Sequence, residues 1–501
     1  MSAPIPFAEC LLSVAADRAE QPAVRHRGKL LSYSELFRHA RGVGGALRSR
    51  GLASGDRVLL VCDEKLPLLM CHLGTLLAGG VSVPLNPKFT PDELSYFLSD
   101  SGARFAVASR GPADVLERLI AQRSRTKNVR AECEVIDPHA LLEANHPPSP
   151  EPTLSAADDA LMLYTSGTTG HPKGAVHPHG NLMAAVRALA DWWQFTPDDV
   201  LLHALPLYHI HGLSFACHVA FLSGCQMILS DRFHPRHTLE EIGKATVFYG
   251  IPTFYYAFME RPEFRECARR WKRLRLATCG SAPIRPEVLP DLEAILGRPL
   301  INRYGMTETH VITSLPLNGP AKQGSVGLPL SGIELVVRKN DGQPARPGEV
   351  GPIWVRGPNL FDRYWQMPVA TQEAFDAQRW FATGDLGETD SEGFLTLRGR
   401  EKDLIIVSGH NVYPPVVERV LNACPGVRES AVVGVPDRRK GERVVAAVVK
   451  GNPQLDESIL RAYCRERLVA YRRPSRIVFV EALPRNTMGK VLKRELRESI
   501  G

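Results

Sequence analysis

Hydrophobic positions in the first part of the chain form short runs that alternate between strand length and helix length. Residues 55–61 (GDRVLLV) predict a turn followed by a buried strand. Residues 66–78 are apolar over a helical length, and residues 80–84 (GVSVP) predict the next short strand. Strands and helices in this alternating order predict an α/β fold with a largely parallel sheet.

The pattern changes after residue 398. A strand-like run, DLIIV at 403–407, precedes two helical stretches at about 414–423 and 456–469, with a predicted strand over 431–435 between them. We therefore predict a large N-terminal α/β domain over residues 1–399, with β-sheets flanked by helices. A small, mobile C-terminal α+β domain is predicted over residues 403–501, and residues 400–402 join the two. The Pro- and Ser-rich residues 142–158 predict an exposed connection within the large domain.

Two long stretches, 66–85 and 201–229, contain no Asp, Glu, Lys or Arg. Pro67 and the Gly79–Gly80 pair interrupt the first, and Pro206 and four histidines interrupt the second. A buried helix followed by a strand fits such interrupted stretches better than a helix that spans a bilayer. We therefore expect no membrane span.

Composition is that of an ordinary soluble globular protein, with 44% hydrophobic and 23% charged residues. The ten cysteines are dispersed, with no CxxC pair and no Cys/His spacing typical of a metal site, which predicts reduced and mostly buried thiols. The first residues, MSAPIPFAEC, lack the basic segment and long apolar run of a secretory signal. A cytoplasmic location is the expectation.

Positive charge is concentrated at the C-terminal end. Residues 400–501 hold 20 Lys and Arg against 12 Asp and Glu, whereas the formal net charge of the whole chain is +7. This excess predicts an anionic partner. Nucleic acid is not expected, because the region has no interleaved aromatic residues, zinc-ligand spacing or RGG-like tract. A small polyphosphate ligand fits the charge equally well.

A glycine-rich loop supplies the first candidate chemistry. Residues 164–174 (YTSGTTGHPKG) follow an apolar strand-like run, ALML at 160–163. Glycines allow close backbone approach, so that N–H groups can surround phosphate oxygens, while hydroxyls and a lysine add further donors. The spacing differs from a Walker A loop, and a surface turn is the alternative interpretation. The candidate phosphate-binding residues are Thr165, Ser166, Gly167, Thr168, Thr169, Gly170 and Lys173.

This loop resembles the signature of the adenylate-forming enzymes, which include acyl-CoA synthetases, nonribosomal adenylation domains and firefly luciferase. Further motifs of the family follow in its order. They are LPLYHIHG at 205–212, CGSAP at 279–283, YGMTET at 304–309, TGDLG at 383–387, GREKD at 399–403 and PRNTMGK at 484–490. The resemblance covers roughly residues 30–495. It implies that a carboxylic acid reacts with ATP to give an acyl-AMP, which a thiol such as that of CoA then attacks.

The resemblance also implies roles for individual residues around the nucleotide. Glu308 would bind Mg²⁺, for which carboxylate oxygens are suitable ligands, and Thr307 would contact the α-phosphate. Tyr304 would stack on adenine, and the backbone of Gly280, Ser281 and Ala282 would pass along the base. Asp385 and Arg400 would bind the ribose. From the residues alone, a turn-capping role for Asp385 and core packing for Tyr304 stay open.

The C-terminal motifs imply a domain that moves between two reaction steps. Lys490, which on sequence alone is an ordinary surface lysine, would neutralise the charge that develops as the acid attacks phosphate. Lys402 would be the hinge residue. Ser408, Gly409 and His410 would line the channel for the pantetheine arm of CoA.

The acid is indicated by fewer residues. His209 and His211 could suggest a metal site, but no further ligand set is apparent, and by resemblance His209 forms a wall of the acyl pocket. Arg303, directly before the YGMTE motif, resembles malonyl-CoA synthetases, in which that arginine holds a second carboxylate. Those enzymes have a second cation after the TFY segment, where this chain has Ala257.

Several alternatives follow from that departure. Malonate or methylmalonate is the favoured acid, while Ala257 and the apolar TFYYAFM segment (253–259) also suit a medium-chain or aromatic acid. Arg303 could instead form a structural salt bridge. A carrier-protein thiol could replace CoA, and a non-catalytic nucleotide-binding protein is a further class. A monomer or homodimer is expected.

Overall fold

A computed structural model describes residues 5–127, 133–143, 151–165, 172–319, 322–339, 341–486 and 490–500. Three elements predicted from the early hydrophobic runs are confirmed as the strand Arg57–Val61, the helix Lys65–Leu77 and the strand Val81–Pro84. The candidate phosphate residues Ser166, Gly167, Thr168, Thr169 and Gly170 lie outside the described residues.

Twenty-five strands, β1 to β25 in chain order, occur in the described ranges. They are Pro22–His26, Lys29–Ser32, Arg57–Val61, Val81–Pro84, Phe105–Ala108, Glu134–Ile136, Asp159–Thr165, Lys173–Pro178, Val200–His203, Gln226–Leu229, Val247–Gly250, Leu276–Cys279, Ile301–Met306, His310–Ser314, Leu328–Pro329, Glu334–Val337, Gly351–Arg356, Arg363–Tyr364, Phe381–Thr389, Leu395–Arg400, Ile405–Val407, His410–Val412, Val427–Asp437, Gly441–Lys450 and Arg476–Val480.

Sixteen α-helices, α1 to α16 in chain order, occur in the same ranges. They are Phe7–Asp17, Tyr33–Ser49, Lys65–Leu77, Pro91–Ser101, Arg110–Lys127, Pro138–Glu143, His179–Trp192, Val219–Leu222, Pro235–Ile242, Pro252–Met259, Phe264–Ala268, Leu289–Leu296, Pro368–Ala374, Pro414–Asn422, Glu457–Arg467 and Lys493–Ile500. A π-helix covers His211–His218, and short 3₁₀ turns cover Pro286–Val288, Glu401–Asp403 and Ala470–Arg472.

The large N-terminal part contains three sheets. One has nine strands in the order β15-β14-β13-β12-β11-β9-β10-β1-β2, and another has seven in the order β18-β8-β7-β4-β3-β5-β6. Strands β9 to β13 pair in parallel with one another, which agrees with the predicted parallel sheet. The third sheet, β16-β17-β19-β20, is antiparallel and leads into the C-terminal part.

The small C-terminal part is built around a five-stranded sheet of β21 to β25. The long hairpin of β23 and β24 contains nearly continuous apolar runs. Since alternate side chains point to opposite sides, both faces of the hairpin are apolar. One face packs against α14 and α15, and the other packs against α16. The arrangement confirms the predicted large α/β part with a small α+β part.

Burial accounts for the two long uncharged stretches. The second forms β9, the π-helix, α8 and β10, and nearly all of its residues are buried in the main core. No helix among the described residues is long and apolar enough to cross a membrane. All ten cysteines are free thiols, eight of them buried, as predicted.

Candidate active site

A carboxylate held by two donors lies where the antiparallel sheet meets the nine-stranded sheet. Asp385 on β19 and Arg400 on β20 are direct cross-strand partners. The Arg400 Nε lies 2.9 Å from one Asp385 oxygen, and the Tyr304 hydroxyl donates to the other at 2.6 Å. The structure therefore brings these three predicted nucleotide residues together. Asp385 lies within a strand, so it does not cap a turn.

A second buried carboxylate lies close by. Glu308 is in the turn after β13 and is 8% exposed, and Thr307 is half-buried beside it. The Tyr364 hydroxyl donates to Glu308 at 3.0 Å. Burial raises the pKa of Glu308, because the charged form is poorly solvated there. An oxygen ligand with remaining lone pairs and poor solvation is suited to a divalent cation.

The phosphate loop connects two antiparallel strands. Thr165 ends β7, Lys173 begins β8, and the two residues pair with each other. The loop is therefore the connection of a hairpin, in contrast to the strand–loop–helix of a Walker A motif. The Lys173 ammonium lies 4.8 Å from the centre of the Tyr364 ring, which places it near the Glu308 partner.

The CGSAP motif follows the end of β12. Ser281 adopts φ +70°, a left-handed conformation that is uncommon for a residue with a side chain. Its hydroxyl lies 2.9 Å from His211 Nδ1. Ser281 is exposed and Ala282 is half-buried, so this segment lies at the protein surface.

Arg303 points away from the nucleotide residues, because neighbours along a strand face opposite sides. It is 4% exposed, and its guanidinium lies 4.8 Å from the Phe215 ring centre. A Cβ added to Gly280 would come within 2.8 Å of the guanidinium carbon, so this glycine makes room for the side chain. Burial lowers the pKa of Arg303 to about 10.

The buried charge of Arg303 has no carboxylate partner in the described part of the chain. Its Nε and Nη2 atoms are buried without a hydrogen bond there, and no ion pair includes this side chain. The alternative of a structural salt bridge therefore finds no partner among those residues. A buried guanidinium without a counter-ion is costly, since its donors have lost water.

The HIHG motif leads into the π-helix, which begins at His211. A Cβ on Gly212 would come within 2.0 Å of the Pro206 carbonyl oxygen, so a glycine is required at this contact. Burial lowers the pKa of His209 to about 4, so its ring is neutral at ordinary pH. No group of three metal-ligating side chains is found among residues with described positions, which does not support a metal site here.

The position that departs from malonyl-CoA synthetases lies on α10. Ala257 is half-buried and brings no charge to the pocket. Two arginines nearby in sequence do not replace the missing cation. Arg275 is bound to Asp199 at 2.6 and 2.7 Å, and Arg261 is exposed at the surface.

The C-terminal part places Lys490 among the charges around Asp385. Lys490 is exposed to solvent, but many protein atoms lie around its side chain. That environment and the positive charge of Arg400 lower its pKa to about 8. Arg285 of the large part donates to the Arg428 carbonyl of the small part at 2.8 Å, which links the two beside the site.

Two further predicted features lie at the surface. Lys402 is in the exposed 3₁₀ turn after Arg400. Ser408 and Gly409 form the turn between β21 and β22, with φ of +49° and +81°, and His410 stacks on Tyr471 at 4.5 Å. Within the described ranges, no hydrogen bond or ion pair joins this turn to Asp385, Glu308 or Lys490.

Sequence reasoning missed Tyr364 and the packing around Arg303. Tyr364 reaches Glu308 across 56 positions of the chain, and nothing in its local sequence distinguishes it from a core tyrosine. Phe215, which lies under the guanidinium, belongs to the apolar stretch that was interpreted only as core. Contacts over such separations depend on the sheet order, which no local pattern shows.

Comparison with known proteins identifies the family. Residues 12–365 match the AMP-binding enzyme family, and residues 416–490 match its C-terminal domain. A long-chain-fatty-acid–CoA ligase of Escherichia coli O157:H7 is 33% identical over 96% of this chain and 92% of that protein. A feruloyl-CoA synthase of an Amycolatopsis species is 35% identical over 96% of each chain. The structure of ATP-bound MatB from Rhodopseudomonas palustris has a TM-score of 0.92 and 38% identity, with 99% of both chains covered.

The chain therefore belongs to the AMP-binding enzyme family. It is an ATP-dependent acyl-CoA ligase, an acid–thiol ligase of the AMP-forming type. The similar proteins differ in the acids that their names give, so similarity alone leaves the acid open.

Proposed function

We propose that this ligase activates a short dicarboxylic acid, with malonate or methylmalonate favoured. The observation that carries the proposal is the buried guanidinium of Arg303, which has no counter-ion among the described residues. A guanidinium binds a carboxylate through paired charge-assisted hydrogen bonds. The second carboxylate of such an acid would supply the missing partner.

The nucleotide would bind on the opposite face of β13. Asp385 keeps free lone pairs beside its contacts with Tyr304 and Arg400, so it can accept hydrogen bonds from ribose hydroxyls. We expect Thr165, Lys173 and Thr307 to contact phosphate oxygens, and the Gly280–Ala282 backbone to border the base. The same face carries the carboxylate of Glu308.

Glu308 is the residue that would hold Mg²⁺. Its buried carboxylate accepts a hydrogen bond from the Tyr364 hydroxyl and makes no ion pair among the described residues, which fits a hard cation. When bound, Mg²⁺ would supply positive charge to the phosphate oxygens. Tyr364 would orient the carboxylate by its hydrogen bond.

The first step joins the acid to AMP. An oxygen of the reacting carboxylate attacks the α-phosphorus, the bond to pyrophosphate breaks, and pyrophosphate leaves with the bonding electrons. The ammonium of Lys490 would bind the oxygens of both reactants as negative charge gathers between them. In the second step the CoA thiol loses its proton to solvent and its sulfur bonds to the acyl carbon, while the bond from that carbon to the phosphate oxygen breaks and AMP leaves with the bonding electrons.

The second step is proposed to follow rotation of the small domain. The exposed turn of Ser408, Gly409 and His410 would then enter the site, with Lys402 as the pivot and residues 400–402 as the joint between 1–399 and 403–501. Gly409 already has a φ that a larger side chain would find strained, and no Cβ contact limits its space. Such a turn suits a narrow pantetheine channel.

A medium-chain or aromatic acid is the second candidate. The half-buried Ala257 and the stacked rings of Phe233 and Phe254, 3.7 Å apart, favour an apolar wall at α10. His209, which is neutral, would form part of that wall in either case.

A panel of acids separates the two candidates. We expect acyl-CoA and pyrophosphate to form from malonate or methylmalonate at a kcat/KM well above that of propionate, octanoate or benzoate. An Arg303→Met variant should lower kcat/KM for the dicarboxylic acids by about 100-fold, because a carboxylate would then be buried without its partner. Its activity with monocarboxylic acids should be retained.

Arg261→Met is the matched control, because Arg261 is exposed. It should leave the panel unchanged. Turnover of monocarboxylic acids only, in the parent protein, would show that the dicarboxylate proposal is wrong. The panel is run with free CoA and with a carrier protein, so that the thiol acceptor is measured together with the acid.

A further inference from the structure

Three adjacent strands place polar side chains on the face that carries Arg303. In parallel sheets, paired residues point to the same side. Tyr249 on β11 pairs with Thr278 on β12, and Thr278 pairs with Ile301 on β13. Arg303 follows Ile301 by two positions and therefore shares its face. The three strands thus present a tyrosine hydroxyl, a threonine hydroxyl and a guanidinium side by side.

These polar groups are buried without partners. Tyr249 and Thr278 are both 0% exposed, and neither the Tyr249 Oη nor the Thr278 Oγ1 makes a hydrogen bond within the described chain. His211 Nε2, on the helix that covers this face, also lacks a partner there. Together with Arg303 they form a buried cluster with several hydrogen-bond donors, and no carboxylate pairs with the guanidinium among the described residues.

The unpartnered hydroxyl of Tyr249 contrasts with other buried tyrosines. Tyr33 donates to the Cys225 carbonyl at 2.8 Å, and Tyr255 donates to the Thr278 carbonyl at 2.7 Å. Buried hydroxyls normally find such partners, because an unmade hydrogen bond in a dry site is unfavourable. The exception therefore calls for a ligand that is absent from the protein alone.

Aromatic rings and the charge of Arg303 surround Tyr249. Its ring packs edge-on against Trp193 at 5.4 Å and lies 6.0 Å from the His211 ring. The positive charge of Arg303 acts on both Tyr249 and His211, so all three are within electrostatic range. Burial keeps the pKa of Tyr249 well above 10, and the hydroxyl remains a donor at neutral pH.

We propose that Tyr249 determines acid specificity by donating a hydrogen bond from its hydroxyl to the distal carboxylate that Arg303 binds. This inference rests on the proposed dicarboxylate function and adds a second recognition group to it. His211 Nε2 and the Thr278 hydroxyl would satisfy the remaining lone pairs of the same carboxylate.

Beside the buried Arg303, a neutral hydrogen-bond donor is a less costly partner for the carboxylate than a second cation. Arg303 alone balances one carboxylate charge, and another buried cation would need its own counter-ion. A tyrosine hydroxyl adds a hydrogen bond to the carboxylate without adding charge. Tyr249 would therefore compensate for the missing cation at Ala257 by a different chemical means.

The test is the nearly isosteric change Tyr249→Phe. We expect kcat/KM for malonate or methylmalonate to fall by about tenfold, mainly through a higher KM, because one hydrogen bond to a charged group is lost. Kinetic constants for a monocarboxylic acid, measured on the same preparation, should change by less than about twofold. The ratio of the two acids is the readout that a general packing defect would not move.

Tyr33→Phe is the matched control, since it removes a buried hydroxyl that has a partner. It should lower the melting temperature and leave the acid ratio unchanged, whereas Tyr249→Phe should not lower the melting temperature.

Two negative outcomes are distinguishable. If the parent turns over dicarboxylic acids and Tyr249→Phe keeps the parent ratio, the role of Tyr249 is wrong while the proposed function stands. If the parent turns over no dicarboxylic acid, both are wrong.

Discussion

Lys490 belongs to the small domain in sequence, but the charges that surround it lie on the strands and turn before that domain. Desolvation and the positive charges of Arg400 and Lys402 favour its neutral form, while Asp385 favours its charged form. The balance lowers its pKa to about 8, so the side chain is still largely protonated at neutral pH. Its proposed role in the first step follows from this position.

A Lys490→Ala variant should lose at least about 100-fold in the rate of acyl-AMP formation, because electrostatic stabilisation of the transition state is removed. Reaction of pre-formed acyl-AMP with CoA should be retained. Both half-reactions are measured by single-turnover assays, with Lys450→Ala in the same domain as control. Equal loss in both half-reactions would contradict a role limited to the first step.

The same lysine predicts a pH dependence. Because its pKa is about 8, the charged form is lost as the pH rises through that value, and the acyl-AMP step should slow in parallel. The rate of pyrophosphate release between pH 7 and 9.5 checks this expectation. A profile that stays level across this range would show that the charge of Lys490 does not limit the step.

Individual residues differ in how far the sequence could place them. Tyr304, Asp385 and Arg400 were predicted through short motifs, and the structure brings them together. Sequence alone favoured a turn-capping role for Asp385, because small neighbours such as Gly384 and Gly387 are typical of turns. Tyr249 carried no signal, since one tyrosine among VFYG looks like any core strand residue.

Among the elements, the π-helix has the most exacting sequence requirement. Gly212 at its second position lies so close to Pro206 that no side chain fits without backbone movement. The position of His211, and the wall proposed at His209, depend on this contact. The uncharged stretch predicted a buried helix, but the wider π geometry results from tertiary contacts that a hydrophobic pattern does not report.

A Gly212→Ala variant should lower the free energy of unfolding by about 1–3 kcal/mol, because the π-helix must shift to admit the methyl group. The same shift should raise the KM for the acid. Gly42→Ala is the matched control: Gly42 lies in α2, with nothing within 4 Å of an added Cβ. This control should raise stability by up to about 1 kcal/mol. Denaturant titration and acid KM are measured on both, and a Gly212→Ala protein as stable as its parent would contradict the close contact.

Local patterns predicted the boundaries of elements well where burial follows a simple period. The helix Lys65–Leu77 and the strands beside it agree within a residue or two with the predicted ranges. The run 403–407 was predicted as strand throughout, whereas Glu401–Asp403 forms a 3₁₀ turn and the strand begins at Ile405. The chain turns between the end of β20 and the start of β21. The preferences of individual residues for strand or turn do not report where such a turn must fall.

At the scale of the whole molecule, the large domain buries an unusual number of histidines. Of those at described positions, seven are 2% exposed or less: His72, His177, His179, His203, His211, His218 and His310. The rings of His72 and His218 are joined by a 2.8 Å contact between their Nε2 atoms, and His177 packs edge-on against His310. Burial lowers the pKa of His72 to about 3 and that of His177 and His179 to about 4.

These histidines predict acid sensitivity. Between about pH 6.5 and 4 the unfolded chain takes up protons that the folded chain does not, so the free energy of unfolding falls as the pH falls through that range. Above about pH 6.5 the histidines no longer lower the free energy of unfolding. Each such histidine contributes up to about 1.4 kcal/mol per pH unit. Urea unfolding at pH 7.5, 6.5 and 5.5 measures the slope.

His237 is exposed and serves as the control, because His237→Gln should leave this slope unchanged. Unfolding free energies that agree at pH 7.5 and 5.5 would contradict the burial of neutral rings.

The two faces of β13 have a thermodynamic consequence. In the proposed complex Tyr304 would contact the nucleotide and its neighbour Arg303 the acid, and Gly280 lies against the Arg303 guanidinium. A ligand that fixes this strand from one side also fixes the residues that the other ligand needs. Binding of ATP and of the acid should therefore be linked, and by reciprocity the factor by which one improves the affinity of the other is the same in both directions.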